Sequence, residues 1–221
     1  MSSASSGSAG RAAHVDLVTV DAFGTLLELV DPTDRLRAAL VAHGVPRGPE
    51  AVAAAFAAEV DYYVPRSHEG RDTESLARLR RDSAAVFLGA LEAAVEPEAF
   101  APAFVGALEF RLVPGAERAL RTLCSAGITL ACTANWDVAL QAHLQRVGVA
   151  HLFTAIVSSA EAGAPKPAPA VFLLALERTG VEPDRALHIG DDAVDREGAV
   201  AASLAFEPAP LVTLPIRLGV A

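Results

Sequence analysis

The stretch Val15-Asp16-Leu17-Val18-Thr19-Val20-Asp21 decides how the rest of the chain is read. It is short, rich in β-branched residues and bounded by a turn at Gly24, which marks a buried strand. Asp21 follows at its carboxyl end. A comparable rhythm returns only after Val113-Pro114-Gly115. From there the sequence predicts a helix from Ala116 to Leu123, a strand from Ile128 to Cys132 and a helix from Val138 to Val147. A strand over Ala155-Ile156-Val157, a helix from Ala168 to Arg178, a strand from Ala186 to Ile189 and a helix from Glu197 to Ala202 follow. Strands alternating with helices of this length predict parallel βαβ units covered on both faces, a doubly wound (Rossmann-like) α/β core.

Between the first strand and the others lies a block with helical periodicity. Asp31-Pro32 reads as an N-cap with proline at the first helical position, and Gly44 closes that helix. Pro49 opens a second helix with the stripe Val52, Phe56, Val60 and Tyr63, and Pro65 stops it. Leu76, Leu79, Val86, Phe87 and Leu91 give a third, and Phe100, Phe104 and Leu108 a fourth. The block carries no strand signal. The expected division is an α/β core over 14–30 and 112–221 with an all-helical cap over 31–111 inserted after the first strand. Residues 1–13, rich in Ser, Ala and Gly, read as a disordered tail without the apolar core of a signal peptide.

The bulk composition narrows the function classes. A chain of 221 residues can fill one core with an insertion, and 52% hydrophobic with 20% charged residues fits a globular protein. A net charge of −9 argues against nonspecific binding to nucleic acid or anionic membrane. A small-molecule anionic substrate stays possible, because a local site can oppose the global field. No apolar run has the length of a membrane span, so a cytoplasmic monomer or homodimer is expected. Cys124 and Cys132 lie in apolar runs and read as reduced thiols.

Ligands of a doubly wound sheet bind outside the carboxyl ends of its strands. Those ends carry Asp21, then Thr133-Ala134-Asn135, then Lys166, then Gly190-Asp191-Asp192 with Asp195 a turn later. Lys166 is the only lysine among the chain's eighteen Lys and Arg residues. An arginine fork cannot stand in for a compact ammonium, so a lone lysine amid carboxylates suggests a point charge that the site needs. Clustered carboxylates repel one another without a cation, and Mg²⁺ is held by one or two carboxylates, water and phosphate oxygens.

The segments VDAFGTLL, ITLACTANWD, GAPKPAPAVF and LHIGDDAVDREGA resemble, in order and spacing, the four motifs of the haloacid dehalogenase superfamily, from about Val15 to Ser203. The resemblance implies that Asp21 is a nucleophile, that Thr25 orders the first loop and that Lys166 steadies Asp21 and the transferred group. It implies Mg²⁺ held by Asp21, the carbonyl of Phe23, Asp191 and Asp195. Asp192 reads either as a helper in that loop or as a helix cap.

Two positions depart from the family's phosphatases. Phe23 stands where they carry an aspartate as general acid/base, and an aromatic there resembles the dehalogenases. Ala134 stands where they carry a Ser or Thr. Phe23, Thr133 and Asn135 are the candidates for contacting substrate, although Thr133, one residue earlier on the strand than Ala134, should face the other way. Trp136 reads as packing. Tyr62, Tyr63, His68 and Arg71 read either as cap residues facing the site or as packing and solvated groups. Arg78, Arg80 and Arg81 read as a solvated helix face. Three functions fit: Mg²⁺-dependent hydrolysis of a small phosphorylated metabolite, hydrolysis of a carbon–halogen bond in a 2-haloacid, or binding without turnover.

Overall fold

Strand β1 (Leu17–Val20) is buried at all four positions, as a β-branched run flanked by partners on both sides should be. A computed structural model describes residues 15–221, and the expected tail over 1–13 lies outside them. The chain then makes β2 (Leu27–Leu29), helices α1 (Thr33–Ala42), α2 (Pro49–Tyr63), α3 (Thr73–Ala90) and α4 (Pro97–Ala107), and β3 (Phe110–Leu112). The second half runs α5 (Ala116–Ser125), β4 (Thr129–Ala134), α6 (Leu140–Arg146), β5 (Ala155–Ser158) and α7 (Ser159–Ala162). It continues through α8 (Ala170–Thr179), β6 (Ala186–Gly190), α9 (Ala193–Ala201), β7 (Ala205–Pro208) and α10 (Leu214–Arg217).

The main sheet is parallel with order β5-β4-β1-β6-β7. β1 is central, so the chain winds outward on one side through β4 and β5 and returns to the other side through β6 and β7. Val20 pairs with both Cys132 and Ile189. Asp21, Thr133 and Gly190 therefore follow at one level along the carboxyl edge. Alternate residues feed two cores. Val18, Val20, Leu130 and Cys132 pack with Leu120 and Leu123 of α5 and with Leu140 and Leu144 of α6. Leu17 and Ala131 pack with Val171, Phe172 and Ala175 of α8.

The helical block has a third apolar cluster of its own, centred on Leu36, Leu40, Val52, Phe87, Phe100 and Phe104. It is joined to the core through β2 and β3, an antiparallel pair with Leu27 opposite Leu112. Sequence periodicity predicts neither strand, because three residues hold too little pattern. β7 is missed as well: it is half-exposed, pairs with β6 alone and ends in proline. Three details of the helices are corrected. Asp31 accepts from the Thr33 N–H at 2.9 Å, but Pro32 is the residue before the first helical one. The inward face of α2 is Val52, Ala55 and Glu59, with Phe56 and Val60 only half-buried. α9 begins at Ala193 rather than Glu197, because Asp192 caps it. Cys124 and Cys132 are free thiols. Among the described residues no helix is long and apolar enough to cross a membrane.

Candidate active site

The loop after β1 turns sharply. Gly24 adopts φ +87°, and a Cβ there would run into the Asp191 carboxylate, so glycine lets the two loops close on each other. The Thr25 hydroxyl donates to Asp191 Oδ1 at 3.1 Å and fixes that approach. The backbone N–H of Asp21 donates to Ile189 O at 2.9 Å, continuing the β1–β6 ladder into the site.

Lys166 reaches this edge from the loop between α7 and α8. Its side chain is 1% exposed, and all three ammonium hydrogens have acceptors: Asp21 Oδ1 at 2.6 Å, Asp195 Oδ1 at 2.5 Å and Thr133 O at 3.0 Å. Asn135 clamps the lysine's backbone. Its Oδ1 accepts from the Lys166 N–H at 2.7 Å and its Nδ2 donates to the Lys166 carbonyl at 3.1 Å. The structure thus gives Asn135 a positioning contact. The Thr133 side chain is fully buried, its hydroxyl makes no hydrogen bond, and only its carbonyl meets the site.

Asp21, Asp191 and Asp195 bring carboxylate oxygens within 4.8 Å of one another. Three carboxylates against one ammonium leave a formal charge of −2 when all are ionised. Burial pushes the Asp21 carboxyl up to about 7 against the pull of Lys166, and the charges of Asp195 and Asp191 add to the rise. Burial also opposes the charged forms of Lys166 and Asp195, yet their mutual attraction prevails. Lys166 is held above its ordinary range by Asp21 and Asp195, and Asp195 well below its own by His188 and Lys166. An excess of hard oxygen ligands and negative charge is what a divalent cation such as Mg²⁺ fits.

Asp192 stands apart from this cluster. Its Oδ1 accepts from the Ala193 N–H at 2.5 Å, and its own N–H donates to Asp195 Oδ2 at 3.2 Å, a capping box at the start of α9. Of its two readings, cap is the one that the structure shows.

His188 was not singled out by the sequence. It lies in β6, fully buried, with Nε2 3.2 Å from Asp195 Oδ1 and Nδ1 2.9 Å from the Thr19 hydroxyl. Burial pushes its pKa down to about 4, so the ring is neutral. Nδ1 also lies 2.9 Å from the Thr19 carbonyl; in the neutral tautomer that keeps Nε2–H for the Asp195 carboxylate, Nδ1 accepts from the Thr19 hydroxyl and leaves that carbonyl to other donors, an assignment made from the network. The available signal was a histidine in mid-strand among apolar residues, where an unpartnered ring would be costly.

The helical block meets the core near the same edge. The Tyr63 hydroxyl donates to Asp137 Oδ2 at 2.8 Å, and the Val138 N–H donates to Gly70 O at 3.0 Å. Tyr62, His68 and Arg71 instead line a polar cleft of about 500 Å³ with Arg78 and Asp82. Phe23 is 56% exposed, with its ring edge-on to Phe110 at 6.4 Å. Phe110 in turn packs on Trp136 and His143, each at 5.1 Å, which confirms Trp136 as a packing residue.

Comparison with known proteins agrees with this geometry. A family model described as haloacid dehalogenase-like hydrolase matches residues 15–203. Haloacid dehalogenase-like hydrolase domain-containing protein 3 of Mus musculus is 33% identical over 102 residues, 46% of this chain and 41% of that protein. Ribulose-1,5-bisphosphate 5-phosphatase of Halopiger xanaduensis is 36% identical over 98 residues, 43% of this chain and 41% of that protein. The matched segments thus span less than half the length of these curated relatives. Among solved structures, 2-haloacid dehalogenase from Pseudomonas syringae superposes with a TM-score of 0.65 at 22% identity, covering 93% of this chain and 98% of that one. That likeness concerns the fold alone. With the family model matched from β1 to just past the end of α9, the chain belongs to the haloacid dehalogenase-like hydrolase family.

Proposed function

We propose that this hydrolase is a Mg²⁺-dependent phosphatase of small phosphorylated metabolites, acting in the cytoplasm through Asp21, with the helical block over 31–111 as its cap. The convergence of Asp21, Asp191 and Asp195 on one another beside a single ammonium carries the reading. A site with surplus negative charge suits an anionic substrate only if a cation bridges the two. Asp21, Asp191 and Asp195, with the Phe23 carbonyl, would hold Mg²⁺, which when bound would screen the carboxylate from the phosphoryl group and stabilise transition-state charge. The phosphatase named among the relatives supports the same chemistry.

In this scheme Lys166 engages Asp21 Oδ1 and leaves Oδ2 to attack phosphorus. The bond from phosphorus to the leaving oxygen breaks, and that oxygen departs with the electron pair. Water then attacks the phosphorus of the aspartyl phosphate, the bond to Asp21 breaks, and phosphate leaves with the carboxylate restored. Thr25 holds Asp191 in place, Asn135 holds the Lys166 backbone, and the Tyr63–Asp137 hydrogen bond ties the cap to the loop after β4.

Phe23 favours a second reading, carbon–halogen hydrolysis through the same carboxylate. A panel of phosphate monoesters and 2-chloropropionate, each assayed with Mg²⁺ and with EDTA, separates them. Phosphate release abolished by EDTA and by Asp21→Asn is the expected outcome. Halide release indifferent to EDTA would establish the dehalogenase, and ligand binding without any product would mark a binding protein.

A further inference from the structure

We infer that the substrates are aryl phosphates, monoesters whose leaving group is a flat, weakly basic aromatic alcohol, because an exposed aromatic ring stands two residues after Asp21 and no free proton donor touches the Asp21 cluster among the described residues. The inference rests on the phosphatase reading and narrows it.

Among the described residues, the side chains that donate to Asp21, Asp191 and Asp195 are committed, and the one unpaired hydroxyl nearby, that of Thr133, is fully buried and too weak an acid to serve. The three Lys166 hydrogens go to Asp21, Asp195 and Thr133 O, and the Thr25 hydroxyl goes to Asp191. The Tyr63 hydroxyl is spent on Asp137. His188 is fully buried behind Asp195, and His143 packs against the Phe110 and Trp136 rings. Asp191 and Asp195 serve as acceptors for Thr25, Lys166 and His188. Phe23, two residues after the nucleophile, has no proton to give, and Ala134 has none at the end of β4.

Without a donor, the leaving oxygen must depart as an anion. An aliphatic alcohol is about as weak an acid as water, whose pKa is about 16. A phenol such as the tyrosine side chain lies near 10. A positioned general acid is worth roughly 10²–10⁴-fold, and its absence penalises the more basic leaving group most. The ring of Phe23 supplies what an aryl group can use instead. It is more than half exposed, and Phe110 backs it edge-on at 6.4 Å with Trp136 behind at 5.1 Å. A ring held in that way offers an aromatic leaving group an offset or edge-to-face contact. The carboxylates that could take a proton from the water of the second step are already engaged by Lys166, Thr25 and His188. The phosphate on Asp21 is therefore released slowly, and the phenol appears first.

The test uses the full chain with Mg²⁺, a series of ring-substituted phenyl phosphates, matched alkyl phosphates and acetyl phosphate. Log kcat/KM is expected to fall steeply as the leaving-group pKa rises. Alkyl phosphates should lie at least about 10²-fold below phenyl phosphate. An initial burst of one phenol per protein is expected, and acetyl phosphate, acidic but without a ring, should fall below the aryl line. Phe23→Asp should flatten the slope and raise alkyl phosphate turnover by roughly 10–100-fold, within the span of general-acid help. Phosphate release with a flat slope across the series overturns the inference and leaves the phosphatase standing. Acetyl phosphate on the aryl line overturns the role given to the ring. Release from no ester overturns both readings.

Discussion

The residues beneath the carboxyl edge of the sheet and those inside the helical block are both buried, and the two regions handle burial in opposite ways. At the edge, Thr19, Asp21, Lys166, His188 and Asp195 are all buried and linked in one chain of hydrogen bonds and ion pairs. Charges removed from water cost several kcal/mol each, and their mutual attraction roughly offsets that cost. Such an arrangement adds little to stability and is kept for chemistry. The helical block buries Phe87, Phe100, Phe104 and aliphatic residues, which stabilise without needing partners. Its one buried ionisable group, Glu59, has Ser83 beside it, yet the Ser83 hydroxyl completes no well-formed hydrogen bond. Stability and activity should therefore respond to substitutions in different places.

The largest effect on stability is expected from Phe87→Ala. Phe87 is fully buried, stacked on Phe100 at 6.0 Å and tilted on Phe104 at 5.1 Å. Removing such a ring costs about 3–5 kcal/mol. Urea unfolding measures the loss, and native-state hydrogen exchange locates it. Amides of α1 to α4 should lose protection while those of β1, β4 and β6 keep theirs. Equal loss in the sheet would show that the two regions unfold together and that their separation is only one of composition.

Lys166→Arg acts on the other region. A planar fork cannot deliver three hydrogens to Asp21, Asp195 and Thr133 O in the space of one ammonium. The value of kcat should fall roughly 10²–10³-fold, the scale of losing one aimed electrostatic contact. Overpacking a side chain that is 1% exposed should cost a further ~1–3 kcal/mol of stability. Steady-state kinetics beside thermal melts give both numbers, and full activity in this variant would mean that any cation serves.

These two regions were also unequally legible in the sequence. The order of the core follows from the alternation of apolar runs; Asp21 and Asp191 stand out because each directly follows a strand, Asp195 because it lies one turn beyond, and Lys166 because it is the only lysine in the sequence. What alternation cannot show is what lies behind a functional residue. Thr19 and His188 sit within strands, where polar side chains usually signal an edge, and only the pairing of β1 with β6 brings them together. Asn135 looked like a substrate contact because its amide is free to donate, and the cross-loop clamp on Lys166 is a contact between residues 31 positions apart. Glu59 lies one position from Val60, off the stripe that periodicity draws along α2, so nothing in the pattern marks its carboxylate as buried.

Glu59→Gln is the smallest of these effects and the one that separates the two regions most directly. Burial pushes the Glu59 carboxyl up to about 7 from its ordinary 4.5. Below about 4.5 the group is neutral folded and unfolded, and burial exacts no electrostatic cost. As pH rises towards 7 the unfolded chain ionises while the folded one keeps its proton, so stability falls through that window by on the order of 1–3 kcal/mol. Glutamine removes the slope, and the difference between parent and variant melting curves across pH isolates it. Asp21 is raised to about 7 as well and contributes a slope of the same sign. Mg²⁺ should suppress the Asp21 slope by favouring the ionised carboxylate, and should leave the Glu59 difference curve unchanged. If Mg²⁺ flattens the difference curve too, the interior of the helical block senses the charge at the sheet edge, and the two regions are electrostatically one.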